Sequence, residues 1–182
     1  MGKEYKRVLI IGSPGSGKST LSIQLAEKMK LPVVHLDSLY WNAGWIPTPS
    51  DQFRAKVEEK LNEDIWIMDG NFQSTLSLRT EYADLVIFLD FPKTLCTYHI
   101  LKRVWLNRGK TRPDMGADCP ERIDVKFVKW VWNFPRDVRP GIWKTLKKEA
   151  ARKDIYILHN PKEVKRLLEI VPNLEKNQLI PD

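Results

Sequence analysis

The chain has 182 residues, 42% of them hydrophobic and 29% charged, with two cysteines. This balance suits one globular domain with its own core, and it excludes a disulfide-stapled, collagen-like or disordered chain. The net charge is +7, and residues 102–152 alone hold 14 Lys+Arg against 6 Asp+Glu, leaving −1 for the rest. Such a region is either a solvated helical surface or a site for an anionic partner, meaning nucleotide phosphates, nucleic acid or a membrane face.

Cys96 and Cys119 are far apart and fit no metal-ligand spacing, so neither a disulfide nor a zinc site is expected, and a reducing cytoplasm suits them. The apolar run Val8 to Ile11 is too short for a signal-peptide core or a membrane span. Lys6 stands where a myristoylation signal beginning at Gly2 needs Ser or Thr. No targeting segment or membrane attachment is expected.

In chain order, Arg7 to Gly12 predicts a buried strand running into a glycine-rich turn. Ser19 to Lys30 predicts a helix through Leu21, Leu25 and Met29, stopping before Pro32. Val33 to Leu36 is a second short strand, and Asp37 to Pro47 a loop rich in aromatics. Thr48-Pro49-Ser50-Asp51 predicts a helix with a Thr cap, continued by Phe53, Val57 and Leu61. Ile65 to Met68 and Leu85 to Leu89 are the third and fourth strands, ending at Asp69 and Asp90. Pro92 opens a helix to about Arg108, with Asp90 as its expected cap or, in the lesser reading, a direct participant at the ligand edge. Ile155 to Leu158 is the fifth strand, and Asn160-Pro161-Lys162-Glu163 caps a last helix with an apolar face at Val164, Leu167, Leu168 and Val171.

Short apolar strands alternating with helices mean an α/β domain with a parallel sheet covered on both faces. Residues 1–182 read as one such domain. Between Asn107 and Pro140 the pattern loosens around several glycines and prolines, with one helical face of Ile123, Phe127, Trp130, Val131 and Phe134. This stretch predicts a mobile lid inserted over the carboxyl edge of the sheet, where open α/β sheets bind ligands.

Gly12-Ser13-Pro14-Gly15-Ser16-Gly17-Lys18-Ser19 fits the P-loop (Walker A) pattern at every fixed position, between a strand and a helix. Glycines let backbone N–H groups curl around phosphates, and the helix N-terminus adds partial positive charge. Lys18 is expected to reach the β- and γ-phosphates of ATP, and the Ser19 hydroxyl to ligate magnesium. Thr20 completes the segment.

Gly12 to Thr20 resembles the phosphate loop of adenylate-kinase-type small-molecule kinases. The wider pattern is similar to the adenylate-kinase-related bacterial topology-modulation proteins. The pieces are His35-Leu36-Asp37, the Tyr40-Trp41 to Trp45 loop, Trp66 to Phe72, Arg112-Pro113-Asp114-Met115 and Arg139-Pro140. The resemblance implies a P-loop fold with a five-stranded parallel sheet of order 2-3-1-4-5 and an arginine-bearing lid. Asp69 would hold magnesium through water; otherwise Asp69-Gly70 is a turn. Asp37 would accept the proton of an acceptor hydroxyl; otherwise it caps Ser38 to Tyr40.

Phosphoryl transfer spreads negative charge that arginine forks stabilise. Arg103, Arg108, Arg112, Arg136 and Arg139 lie in or beside the expected lid and are the catalytic candidates with Lys18 and Asp37. Arg54 and Arg79 are the acceptor-side candidates, with a salt bridge to Glu81 or Asp84 as the other reading of Arg79. Asp69-Gly70-Asn71-Phe72 departs from the Asp-Gly-Phe-Pro-Arg of adenylate kinases, which sets a simple adenosine-monophosphate acceptor in question. Trp41 and Trp45 either stack on a ligand ring or fold the loop onto the core. Trp130, Trp132 and Trp143 read as packing residues, and His35 as a core or hydrogen-bonded histidine. His99 and His159 form no ligand pattern.

The expected function is an ATP- and magnesium-dependent phosphotransferase acting on a nucleoside monophosphate or other small acceptor. The alternative is a nucleotide-regulated DNA-binding protein that modulates DNA topology without kinase activity, supported by the basic segment alone. An ATPase that hydrolyses slowly without its acceptor is the third reading.

Overall fold

A computed structural model describes residues 4–122 and 124–171. Gly2 and Ile123, read above, lie outside the described residues. In chain order the elements are β1 (Arg7–Gly12), α1 (Lys18–Met29), β2 (Val33–His35), α2 (Leu36–Tyr40), β3 (Trp41–Asn42), β4 (Ile46–Pro47), α3 (Ser50–Leu61), β5 (Trp66–Asp69), α4 (Leu76–Tyr82), β6 (Leu85–Leu89), α5 (Lys93–Asn107), α6 (Val125–Asp137), α7 (Arg139–Glu149), β7 (Asp154–Leu158) and α8 (Pro161–Ile170).

Five strands form a parallel sheet in the order β2-β5-β1-β6-β7, while β3 and β4 make a separate antiparallel hairpin. Without the hairpin in the count, this is the expected order 2-3-1-4-5. The buried strand runs follow from position: β1 lies between two neighbours and under helices on both faces, so polar residues have no place in it. Val8 and Ile10 face the side packed by Leu21 and Leu25 of α1, Ile100 of α5 and Leu167 of α8. Leu9 and Ile11 face the side packed by Phe53 and Val57 of α3 and Ile142 of α7. Each such side chain stabilises the fold by about 1.5–3 kcal/mol on burial. Helix α6 gives Val131 to the first core and Phe134 to the second. No helix among the described residues is long and apolar enough to cross a membrane.

Several local expectations are corrected. The segment 37–47 is not a loop: it holds most of α2 and the β3–β4 hairpin. Thr48 does not cap α3, because its hydroxyl donates to the carbonyl of Leu39 at 3.2 Å and Pro49 occupies the cap position. Asp90 does not cap α5, whose cap position is Pro92. Asn160 does cap α8, accepting from the backbone N–H groups of Lys162 and Glu163.

Arg79 of α4 is corrected as well. It is fully buried, and burial pushes its guanidinium down to about 9. Its Nε, Nη1 and Nη2 donate to Thr75 Oγ1, the Gly70 carbonyl and the Phe72 carbonyl at 3.1, 3.0 and 2.7 Å. Neither Glu81 nor Asp84 takes it; Asp84 instead accepts from the backbone N–H of Arg7. Arg79 therefore holds the turn after β5 from beneath and presents no donor to a ligand. Arg79→Met is expected to lower stability by about 3 kcal/mol, since it leaves two buried carbonyls unsatisfied at about 1–3 kcal/mol each. Urea denaturation checks this, and a loss below about 1 kcal/mol would contradict the bracing role.

Candidate active site

The segment from Gly12 to Ser19 leaves the carboxyl end of β1 and turns into α1. Gly15 and Gly17 have φ of 80° and 91°, the left-handed region that glycine enters without steric cost. At Gly15 the packing also demands glycine: a Cβ would lie 2.3 Å from the carbonyl oxygen of Cys96 in α5. His99, one turn along α5, holds its Nδ1 2.8 Å from the Gly15 carbonyl. Sequence reasoning saw no role for this histidine.

Lys18 folds back over the loop, and its Nζ donates to the Ser13 carbonyl at 3.0 Å. Burial pushes its ammonium below the usual lysine range, with Asp37 and then Asp69 opposing the shift. Asp37, in the first turn of α2, faces the same cavity. Burial pushes its carboxyl up, against the pull of Lys18 and Arg112. Lysine and carboxylate thus hold each other's charge in a partly dehydrated place.

Asp69 lies beneath the loop and does not line the cavity. Its Oδ2 is 2.5 Å from the Ser22 hydroxyl and 2.7 Å from His35 Nδ1, and the carboxylate is 3% exposed. The Ser22 hydroxyl also reaches the Ser19 carbonyl at 2.9 Å. One carboxylate therefore ties β5, β2 and α1 together. Burial pulls the His35 imidazole down, but the hydrogen bond and charge of Asp69 outweigh it and its pKa is raised.

The five lid-region arginines separate by place. Arg103 and Arg112 line the cavity, and both approach Oε1 of the buried Glu121, at 2.9 and 2.6 Å. These are close ion pairs whose Nε–H bonds are not aimed at the oxygen. Arg112 also donates to Asp114 at 2.8 Å. Arg139 pairs with Asp90 through Nε and Nη2 at 2.6–3.0 Å and lies over the Trp143 ring. Arg108 is exposed, and Arg136 is exposed against its neighbour Asp137. Neither lines the cavity. Arg54 is on the surface of α3, paired with Glu58, and is likewise not brought to the site. Glu121 carried no signal in sequence, because only the fold shows it between two arginines.

The cavity spans about 940 Å³. The loop Pro14–Ser19 lies along it. At one end are Phe127 and Trp130 of α6 with Pro161 and Val164 of α8; at the other are Trp41, Trp45, Asn71 and Phe72. Strand order explains the two ends, since β2 and β5 lie to one side of β1 and β6 and β7 to the other. The hairpin is clasped to the segment before α6: Gly44 N–H donates to the Asp118 carbonyl and Trp45 Nε1 to the Pro120 carbonyl. A Cβ at Gly116 would sit 1.9 Å from the Trp41 carbonyl oxygen. Trp41 and Trp45 thus both pack in the loop and present rings to the cavity, and Trp130 is a wall residue as well as packing. A second cleft of about 360 Å³, with Asp84 and Lys153, lies at the amino ends of the strands, away from the loop.

Among the described residues no group of three or more His, Cys, Asp or Glu is placed to hold a metal. The half-buried Ser19 lines the cavity beside the loop, so the arrangement fits a magnesium ion held mostly by phosphate oxygens and water.

No protein-family model matches the chain. It is 28% identical over 130 residues to the uncharacterized protein YqaC of Bacillus subtilis (strain 168), covering 69% of this chain and 70% of that protein. It is 34% identical over 67 residues to an adenylate kinase of Mesomycoplasma hyopneumoniae (strain 7448), covering 37% of this chain and 30% of that enzyme. The match thus spans less than a third of the enzyme's length. A shikimate kinase from Acinetobacter baumannii, solved with shikimate, shares the fold with a TM-score of 0.60 and 15% identity over 93% of this chain and 92% of its own. The chain thus has the P-loop α/β fold, which this kinase shares.

The His35–Asp69 pair sets a pH dependence. A histidine with a raised folded pKa stabilises fully below its unfolded pKa, about 6.5, and loses that contribution as pH rises through the folded value. Between about pH 6 and 8 the wild type is expected to lose more thermal stability than His35→Gln, measured by melting temperature against pH. Parallel profiles would contradict the pairing.

Proposed function

We propose that the chain is an ATP-dependent phosphotransferase that moves the γ-phosphate of magnesium-bound ATP to a small acceptor, a nucleoside monophosphate or another metabolite. The observation that carries this reading is that the loop residues Pro14–Ser19, Lys18 among them, with Asp37 and the pair Arg103 and Arg112, all line one two-ended cavity. A P-loop serving only as a nucleotide switch has no need of a carboxylate at the far side of the transferred phosphate.

In this reading the backbone N–H groups of the loop and the start of α1 hold the phosphates. Lys18 leaves the Ser13 carbonyl for the β- and γ-oxygens. The Ser19 hydroxyl would hold magnesium, which when bound neutralises charge across those oxygens, and Asp69 would join through water on releasing Ser22 or His35. Arg103 and Arg112 exchange Glu121 for the charge that develops on the moving group. Asp37 accepts the proton of an acceptor hydroxyl, and a carboxyl raised by burial is the stronger base for that task. Residues 107–140 act as the lid that excludes water. Arg108, Arg136 and Arg139 join only if the lid moves them, and Arg54 and Arg79 take no part.

The test is incubation with Mg-ATP and a panel of nucleoside monophosphates, nucleosides and small hydroxyl metabolites, reading both ADP and phosphorylated product. Lys18→Ala is expected to lower transfer by about 10²-fold or more, and Arg103→Ala and Arg112→Ala to lower it with Mg-ATP binding partly kept. ATP binding without transfer to any member, or transfer indifferent to Lys18, would sink the reading.

A further inference from the structure

The acceptor end of the cavity carries more information than its place. The parallel register pairs His35 of β2 with Asp69 of β5. Asp37 and Asn71 each follow two residues later, so they leave neighbouring strands at the same edge and line the same cavity. Phe72 continues the wall, in ring contact with Tyr40 and Phe53 at 4.7 Å between centroids. Trp41 and Trp45 meet edge to face at 5.4 Å across from it in the hairpin. This end is therefore an aromatic enclosure with the Asp37 carboxylate and two amides, of which Gln73 is taken up by the Val138 carbonyl at 3.2 Å.

The other amide is Asn71. Asn71 lines the cavity, but its Nδ2 and Oδ1 are both out of solvent and without a hydrogen-bond partner among the described residues, so a ligand meets the amide once the side chain turns outward. A buried amide in that condition is costly to the fold, so turning outward to a partner that supplies both an acceptor and a donor is favoured. An asparagine amide pairs in this way with a purine edge, reading an acceptor and a donor side by side.

Charge argues which acceptors the enclosure excludes. An acceptor phosphate needs cations that are free to meet it. Arg79 directs three donors inward to Thr75 and to the turn after β5, and Arg54 is on the outer face of α3 with Glu58. Arg103 and Arg112 are neutralised by Glu121 and Asp114 and face the transferred phosphate in the reading above. Arg122 lies at the exposed rim, 5.8 Å from the Trp45 ring centroid. Asp37 would repel a dianion and accept from a hydroxyl.

Resting on the phosphotransferase reading, we propose that the acceptor is an uncharged nucleoside, phosphorylated on a sugar hydroxyl, with its base against Trp41, Trp45 and Phe72 and its edge read by Asn71. The hydroxyl oxygen forms the new bond to the γ-phosphorus, the bond from that phosphorus to the ADP oxygen breaks, ADP leaves with that electron pair, and the hydroxyl proton passes to Asp37. The product is a nucleoside monophosphate rather than a diphosphate.

Isothermal titration of the full chain, saturated with Mg-ADP, tests this with adenosine, guanosine, cytidine and thymidine, their 5′-monophosphates, and myo-inositol as a ring-free hydroxyl compound. At least one nucleoside is expected to bind, quench tryptophan fluorescence and exceed its monophosphate in affinity by about ten-fold. Asn71→Ala is expected to weaken it about ten-fold or more, and Asn71→Asp, close in shape but without a donor, to do the same, while binding of Mg-ATP titrated alone to either variant stays as in wild type. Asp37→Asn is expected to narrow the gap between nucleoside and monophosphate. Tighter binding of any monophosphate, no nucleoside binding, or Asn71 variants that bind as wild type would each overturn the proposal. Mg-ATP titrated alone separates the two readings. ATP that fails to bind removes the phosphotransferase, whereas ATP binding with phosphorylation of inositol or a monophosphate removes only the nucleoside acceptor.

Discussion

A side chain at position 15 would meet the Cys96 carbonyl at 2.3 Å, and that close approach of the phosphate loop to α5 sets the frame for everything around it. Because α5 is pressed against the loop, its residues are delivered to the site in helical register. Cys96 touches the loop at the first turn, His99 reaches the Gly15 carbonyl at the second, and Arg103 lines the cavity one turn further. β1 can end there only because it lies between β5 and β6, buried on both faces, so the loop emerges at the middle of the sheet's carboxyl edge. From that one placement follow two flanking spaces, one bounded by α6 and α8 and one by the β3–β4 hairpin.

The charges in the site are balanced in its present form. Lys18 holds its own loop's carbonyl while facing Asp37; Arg103 and Arg112 share Glu121; Asp69 is closed off by Ser22 and His35. Buried charges are costly unless paired, so a cleft lined by a lysine and two arginines needs counter-charges of its own. Glu121 has that position. It lets two arginines wait on the cavity wall, and a ligand phosphate competes with it for the same guanidinium groups.

The loop itself was legible because its chemistry is local: eight consecutive residues, a strand before and a helix after. The sheet was legible because buried parallel strands have to be continuous apolar runs, as in Leu85 to Leu89. The misses share a physical cause, which is that partner choice is tertiary. Leu36 to Tyr40 is a helix too short to show periodicity, and Thr48 prefers the Leu39 carbonyl to the helix end beside it. Arg79 and Arg54 look alike in sequence, yet one is sealed under the turn after β5 and the other is exposed on α3. Arg103 and Arg112 were indistinguishable from Arg108 and Arg136 until Glu121 placed the first pair at the cavity. Asn71, unremarkable as a letter, matters only because nothing among the described residues answers its amide.

The basic segment that first suggested an anionic partner now divides. Arg103, Arg112 and Arg139 are engaged with Glu121, Asp114 and Asp90, so the inward part of the positive charge is already paired, with Arg103 and Arg112 on the cavity wall. The part that faces outward includes Arg108, Lys110, Lys126, Lys129 and Arg136, exposed on the irregular segment and on α6. Arg136 among these is already paired with Asp137. Exposed cations of this kind give nucleic acid a salt-dependent attraction without sequence information. An interaction with DNA would therefore use a different set of residues from phosphoryl transfer, and the two activities would be separable by substitution on the outer surface of α6 and of the segment before it.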